Sequence, residues 1–337
     1  MQEISSMQSV SCSDSLGSNR IGFVDWAKTI CIFLMVVGHW SSNHHLLLTY
    51  ICSFHMPALF IISGFLFKPH AWYKTLLSYA IPVTFFSVVN LFVQLFLGEI
   101  TFDEIIFPQL IFRIFHYRYG LGANLFIGDW FLWALLGLRF LFGDVKQLRV
   151  TRKYYFIISL VCVFYMTFES YLVSVDTIFR GYLIGRMIPS LIFFCFGFYI
   201  FDRKWKPESV SKFYIIPLVP LFFLLPLFNG CCGIVANEYG VSYLIFAANA
   251  ILSSVLLFVL CTKIPTTKFT ETISSGTFVV LGTHIPILNI LNHLLPNMIS
   301  FMYPFITIVI CYYIIVLCEK YCPILLGKWK YISFTRK

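Results

Sequence analysis

The stretch that decides the fold is RIGFVDWAKTICIFLMVVGHW, Arg20 to Trp40. It is long and apolar enough to cross a bilayer, since roughly 20 helical residues span about 30 Å of hydrocarbon. Yet it carries Asp25, Lys28 and His39. A charge near the centre of a membrane helix costs roughly 2.5–3.5 kcal/mol on insertion scales, which makes each such residue a functional candidate. Lys28 and His39 are eleven positions apart, about three helical turns, so they lie about 20° apart on one face and roughly 16 Å apart along it. Asp25 falls within about 60° of both, with Ile32 and Met35 on the face between them. Singly, each residue has a simpler reading: Lys28 snorkels to an interface, Asp25 pairs with it, and His39 is interfacial. Their common face argues instead for a site.

The rest of the chain repeats the apolar pattern. Of 337 residues, 59% are hydrophobic and only 12% charged, with a mean hydropathy of +0.84, a balance that excludes an ordinary soluble domain. Candidate spans are 22–40, 50–67, 76–97, 124–142, 154–174, 183–201, 213–229, 241–261, 273–294 and 299–318. The stretch 101–118, with Asp103, Glu104, Arg113 and Arg118 among apolar residues, reads as an interfacial helix. With the N-terminus inside, 19 of the 24 basic residues fall on the inner side. That asymmetry predicts an all-α, polytopic transmembrane bundle of about ten helices with both termini cytoplasmic. It accounts for the net charge of +9 without any acidic partner, so nucleic acid is set aside and the lipid bilayer is the expected surrounding.

Residues 1–19 read as a disordered polar tail, 20–320 as the transmembrane domain and 321–337 as a basic cytoplasmic tail. The 11 cysteines are scattered, and the one cluster, Cys231-Cys232, lacks metal or redox spacing. No metal and no resident cofactor is expected.

A second stretch, FHMPALFIISGFLF from Phe54 to Phe67, puts His55 at the same depth as His39. Pro57 lacks a backbone donor and opens the helix locally, while Ser63 and Gly64 allow a close neighbour near its inner end. Further polar residues lie within spans. His284 has Thr277 seven residues before it and Pro286 just after, and reads equally as a packing histidine or a substrate ligand. Arg186 is buried if its helix begins near Tyr182 and interfacial if it begins at Met187. Asp129-Trp130 reads as a helix cap with a belt aromatic, or as part of a site. Glu169 has Arg180 or Arg186 as possible partners.

The first two motifs together resemble the membrane acyltransferase-3 family: a basic residue, ten intervening residues and a histidine (Lys28 to His39) after Asp25, then FHMPALFIISGFLF. GDWFLWALL (Gly128 to Leu136), IFFCFGFYIF (Ile192 to Phe201) and SSGTFVVLGTHIP (Ser274 to Pro286) resemble later family pieces. The resemblance implies a ten-helix integral enzyme of the cell membrane, bacterial inner or plasma membrane. It would move an acyl group, expected to be acetyl, from cytoplasmic acyl-CoA as co-substrate to a hydroxyl of a surface glycan or its lipid-linked precursor. It makes His39 the essential histidine and Lys28 its basic partner, where many members carry Arg; lysine keeps the charge without the bidentate fork. Many members also carry an arginine pair after the second helix, where this chain has Lys68 and Lys74.

The expected chemistry is general-base attack by His39 on the acceptor hydroxyl, with Lys28 or helix-terminal donors stabilising the oxyanion, Asp25 as a further catalytic candidate, and His55, Ser63, Asp129, Trp130, Arg186 and His284 as substrate-binding candidates. Because CoA is cytoplasmic and His39 lies near the other face, either the thioester arm reaches into the bundle or an acyl relay exists. The rival from another class is a transporter or flippase exporting a glycan or lipid intermediate. No internal repeat between the two halves favours it.

Overall fold

A computed structural model describes residues 20–40, 44–101, 129–145, 154–172, 183–201, 205–234, 238–299 and 301–328. The expected tail 1–19, most of the expected interfacial helix 101–118 and the end of the basic tail, 329–337, lie outside the described residues. In chain order the helices are α1 Gly22–Trp40, α2 His45–Cys52, α3 His55–Phe65, α4 Trp72–Phe96, α5 Asp129–Arg139, α6 Tyr155–Leu172, α7 Leu183–Cys195 and α8 Lys212–Asn229. A two-residue antiparallel hairpin follows, β1 Cys232–Gly233 and β2 Glu238–Tyr239. Then come α9 Tyr243–Cys261, α10 Lys268–Ser275, α11 Thr277–Leu294 and α12 Met302–Tyr321. Both α5 and α7 close on a widened π turn, Phe140–Asp144 and Phe196–Ile200.

Six of these segments are long and apolar enough to cross a membrane, α2 and α3 counting as one, and three shorter apolar helices accompany them among the described residues. Helices suit that setting because every backbone donor and acceptor is paired within the segment. Two expected spans are broken. The first breaks between α2 and α3, where Pro57 has no amide hydrogen to give Ser53 and the chain turns through Ser53 and Phe54. The second breaks at Gly276, so the expected helix 273–294 is α11 preceded by the short α10, which a Thr267–Thr270 capping box starts.

Phenylalanines fill the middle of the bundle. Phe142 packs on Phe67, Phe194 and Phe198 with ring centroids 4.8–6.4 Å apart, joining α3 to the ends of α5 and α7. Phe23 at the start of α1 meets Phe65 at the end of α3 and Phe258 at the end of α9. The end of the bundle that holds Arg20, Lys68, Arg139, Lys206, Lys263 and Lys320 is therefore common to all these helices, and it is the basic end.

A knot ties loops there. The buried Asp144 carboxylate accepts from the His70 amide (2.6 Å), the Thr75 hydroxyl (2.8 Å) and Arg139 Nε (3.2 Å), while Arg139 also donates to the Lys68 carbonyl (3.1 Å). Burial, and after it Arg139, hold the His70 imidazole below its ordinary pKa, with Lys68 and Lys74 adding to the effect and Asp144 opposing it.

The backbones of α3 and α7 touch where Gly64 and Gly197 face each other: a methyl on Gly64 would overlap the Phe194 carbonyl, and one on Gly197 would overlap the Ile61 carbonyl. Neither obstacle is a movable side chain. Gly64→Ala and Gly197→Ala should each lower stability by about 1–3 kcal/mol, read as a lower melting temperature of detergent-purified protein. Gly38→Ala, where the new methyl meets Ile51 Cγ2 at 3.5 Å and Leu48 Cδ2 at 3.9 Å, both ordinary contacts, should melt like wild type.

Candidate active site

The face of α1 that carries Lys28 and His39 packs on α11 and on the α10–α11 junction, and the two helices run the same way. Lys28 Nζ donates to the Ser274 carbonyl at 2.7 Å. That oxygen lies in the last turn of α10, where helix carbonyls are without amide partners and carry partial negative charge; the Thr277 hydroxyl donates to it as well, at 3.0 Å. Three turns further along, the ring of His39 meets the ring of His284, centroids 5.1 Å apart and planes 47° apart. Between these two polar contacts α1 presents Ile32 and Met35, both buried.

His39 is held from its own helix. Trp40, its neighbour, stacks on Tyr303 of α12 at 4.0 Å, and Phe33 packs on Phe305 at 5.0 Å. The His39 side chain is exposed at this end of α1. His55, the first residue of α3, is buried and lies within electrostatic reach of His39. Three helices thus bring three histidines to the end of the bundle opposite the basic one.

The hydrogen bonds set what two of these rings can do. His55 Nδ1 lies 2.6 Å from the Ile51 carbonyl and His284 Nδ1 lies 2.8 Å from the Val280 carbonyl. A carbonyl oxygen only accepts, so Nδ1 donates in both, and in the neutral ring Nε2 presents a lone pair. The His284 ring is fully buried, and its Nε2 has no hydrogen-bond partner among the described residues. A buried acceptor of this kind is stabilised by a donor such as a hydroxyl. Among the described residues no three His, Cys, Asp or Glu side chains are grouped to hold a metal ion.

The other expected site residues are placed differently. Asp25 is buried, but Arg20 takes its carboxylate at 3.0 Å and also reaches the Glu271 carbonyl at 2.7 Å, tying α1 to α10. Ser63 donates to the Leu59 carbonyl of its own helix at 2.7 Å and lies eight residues, roughly 12 Å, from His55. Arg186 is buried in α7, whose described residues begin at Leu183. Asp129 opens α5, its side chain being outside the described ones, and the half-buried Trp130 contacts Phe131. The Glu169 side chain, on α6, and Arg180 lie outside what is described. Sequence reading passed over Ser87, Asn90 and Gln94, which bury one polar face of α4; their i, i+3, i+7 spacing inside an apolar helix was the available signal.

A multi-pass helical membrane protein with a lysine and a histidine on one helix face is the class that fold and site define. The family model described as an acyltransferase domain matches residues 21–319. The chain belongs to that acyltransferase-3 family and is an acyltransferase. No curated protein and no solved structure matches it.

Arg20 binds both Asp25 and the α10 backbone, so Asp25→Asn should destabilise the purified protein mainly through the lost Arg20 contact. In a double-mutant cycle with Arg20→Gln, the melting shifts should fall short of additive by roughly 1 kcal/mol or less, because Arg20 is part-exposed. Full additivity would separate the two residues.

Proposed function

We propose that this acyltransferase takes an acyl group, acetyl in the first instance, from acyl-CoA at the basic end of the bundle and passes it to a hydroxyl of a surface glycan or lipid-linked sugar at the histidine end. The basic end then faces the cytoplasm, the α5 and α6 to α8 segments complete ten crossings of the plasma membrane, and both termini lie inside. The observation that carries the proposal is the paired contact of α1 with α10 and α11: Lys28 on Ser274 at one end and His39 on His284 at the other.

In this reading His39 takes the proton of the acceptor hydroxyl as its oxygen attacks the thioester carbonyl carbon. The tetrahedral intermediate collapses with cleavage of the C–S bond. The imidazolium returns its proton to the leaving thiolate, giving free CoA and an ester. His284 Nε2, already fixed as an acceptor, orients the sugar hydroxyl or the His39 ring. Lys28, roughly 16 Å away along α1, is too far to hold the oxyanion, so its work is on the anionic part of the donor. Ser63 donates within α3 and lies roughly 12 Å along that helix from His55, which favours direct transfer over an acyl-serine relay.

Membranes containing the protein, given acceptor glycan and labelled acetyl-CoA, should transfer label, and His39→Ala should lower the rate by about 10²-fold or more at equal protein abundance. Equal rates would remove His39 as the base. At position 284, Gln places an oxygen near the site of Nε2 while Asn keeps only the donor near Nδ1. His284→Gln should therefore retain more activity than His284→Asn, and the opposite order would assign His284 to packing.

A further inference from the structure

Hydroxyls in these helices commonly turn back on their own backbone. Thr49, Ser63, Thr167, Ser190, Ser254 and Thr283 each donate to the carbonyl four residues before, at 2.6–2.8 Å. Thr307, on α12, does not. Its side chain is fully buried, and its Oγ1 has no hydrogen-bond partner among the described residues. An unpaired buried hydroxyl lowers stability and calls for a reason.

Its position supplies one. Tyr303, Thr307 and Cys311 follow one another at four-residue steps along one face of α12. Tyr303 stacks on Trp40, the neighbour of His39, and Cys311 Sγ lies 3.4 Å from the hydroxyl of Thr283, the neighbour of His284. Thr307 stands between them, one turn or about 6 Å along the helix from each. That face is therefore turned into the seam of α1, α11 and α12, where the His39 and His284 rings meet. Because α12 runs back toward the basic end, Thr307 lies on the basic side of the Trp40–Tyr303 stack, the side from which the acyl donor comes in the reading above.

The reaction needs a hydrogen-bond donor there. When the acceptor oxygen attacks, the thioester carbonyl oxygen takes on negative charge, and a preorganised donor buried in the bundle stabilises it. Lys28 is roughly 16 Å from His39 along α1. The Nδ1 protons of His55 and His284 are taken by the Ile51 and Val280 carbonyls. The Thr307 proton is engaged by none of the described residues. Resting on the function proposed above, we propose that Thr307 is a catalytic residue whose hydroxyl donates to the carbonyl oxygen of the acyl donor and holds the oxyanion. As the new C–O bond forms, the carbonyl π pair moves onto that oxygen. Its return breaks the C–S bond, and the thiolate takes the proton that His39 removed from the acceptor. Thr307 keeps its own proton throughout.

Thr307→Val replaces the hydroxyl by a methyl of similar shape, and Thr307→Ser keeps it. In nanodiscs with labelled acetyl-CoA and acceptor glycan, Thr307→Val should lower kcat about 10²-fold, the worth of one oxyanion donor. The KM of each substrate should stay within about twofold, as for a contact made only in the transition state. Thr307→Ser should keep most of the wild-type rate. Detergent-purified Thr307→Val should melt no lower than wild type, and up to roughly 2–4 °C higher, since no bond is lost and an unpaired hydroxyl is removed. A lower melting temperature would make the hydroxyl structural, an unchanged kcat would take it out of the reaction, and a rise in acceptor KM alone would make it an acceptor contact; each overturns the proposal. If wild type transfers from no acyl-CoA, the function proposed above fails on its own. p-Nitrophenyl acetate, which carries the same acetyl carbonyl, then serves as donor: a loss of rate in Thr307→Val but not in Thr307→Ser supports the oxyanion role, and equal rates overturn it.

Discussion

The structure depends on the parallel packing of α1 against α11 and the short α10 that precedes it. A membrane helix with a lysine and a histidine three turns apart is unfavourable unless both find partners in the bundle. Here the break at Gly276 exposes the end of α10 to Lys28, and α11 then runs alongside α1 far enough to bring His284 to His39. The apolar residues between, Ile32 and Met35, are buried. One helix pair thus holds a polar contact at each end and a dry segment in the middle.

The rest of the fold supports that pair. The start of α1 is tied to α10 and the loop before it through Arg20, Trp26 and Thr29, which donate to the carbonyls of Glu271, Pro265 and Thr270. Its far end is tied to α12 by the stack of Trp40 on Tyr303. Where α2 ends, the Ile51 carbonyl accepts from the Phe54 amide and from the His55 ring, so the break between α2 and α3 helps set a histidine tautomer. The glycine crossing of α3 with α7 places α3 close against its neighbours. Positioning of the three histidines is therefore spread over most of the bundle, although each belongs to a short motif.

Much of this was legible in the chain. The limits of α1 are those read from its apolar run, and the shared face of Lys28 and His39 follows from helical periodicity alone. What those residues meet was not legible. Arg20 and Glu271, Lys28 and Ser274, and His39 and His284 are each separated by about 250 residues, and only tertiary packing joins them. Asp25 shows the consequence: it lies within electrostatic reach of Lys28, in keeping with its place on the stripe, and Arg20, five residues earlier, also holds its carboxylate. The break at Gly276 was hidden because Ser274, Ser275 and Gly276 sit within a continuous hydropathy window. The 3₁₀ turn that follows α12 was hidden because four residues, Pro323–Leu326, are too few to show periodicity.

The central claim is that donor and acceptor meet the protein at opposite ends of α1, so the acyl group crosses the bilayer during transfer. Sealed membrane vesicles of both orientations, given labelled acetyl-CoA outside and acceptor glycan on either side, test this directly. Label should reach glycan only in vesicles whose basic end faces the added acetyl-CoA, and only glycan enclosed in the lumen should carry it. Labelled glycan on the same side as the donor would contradict the account.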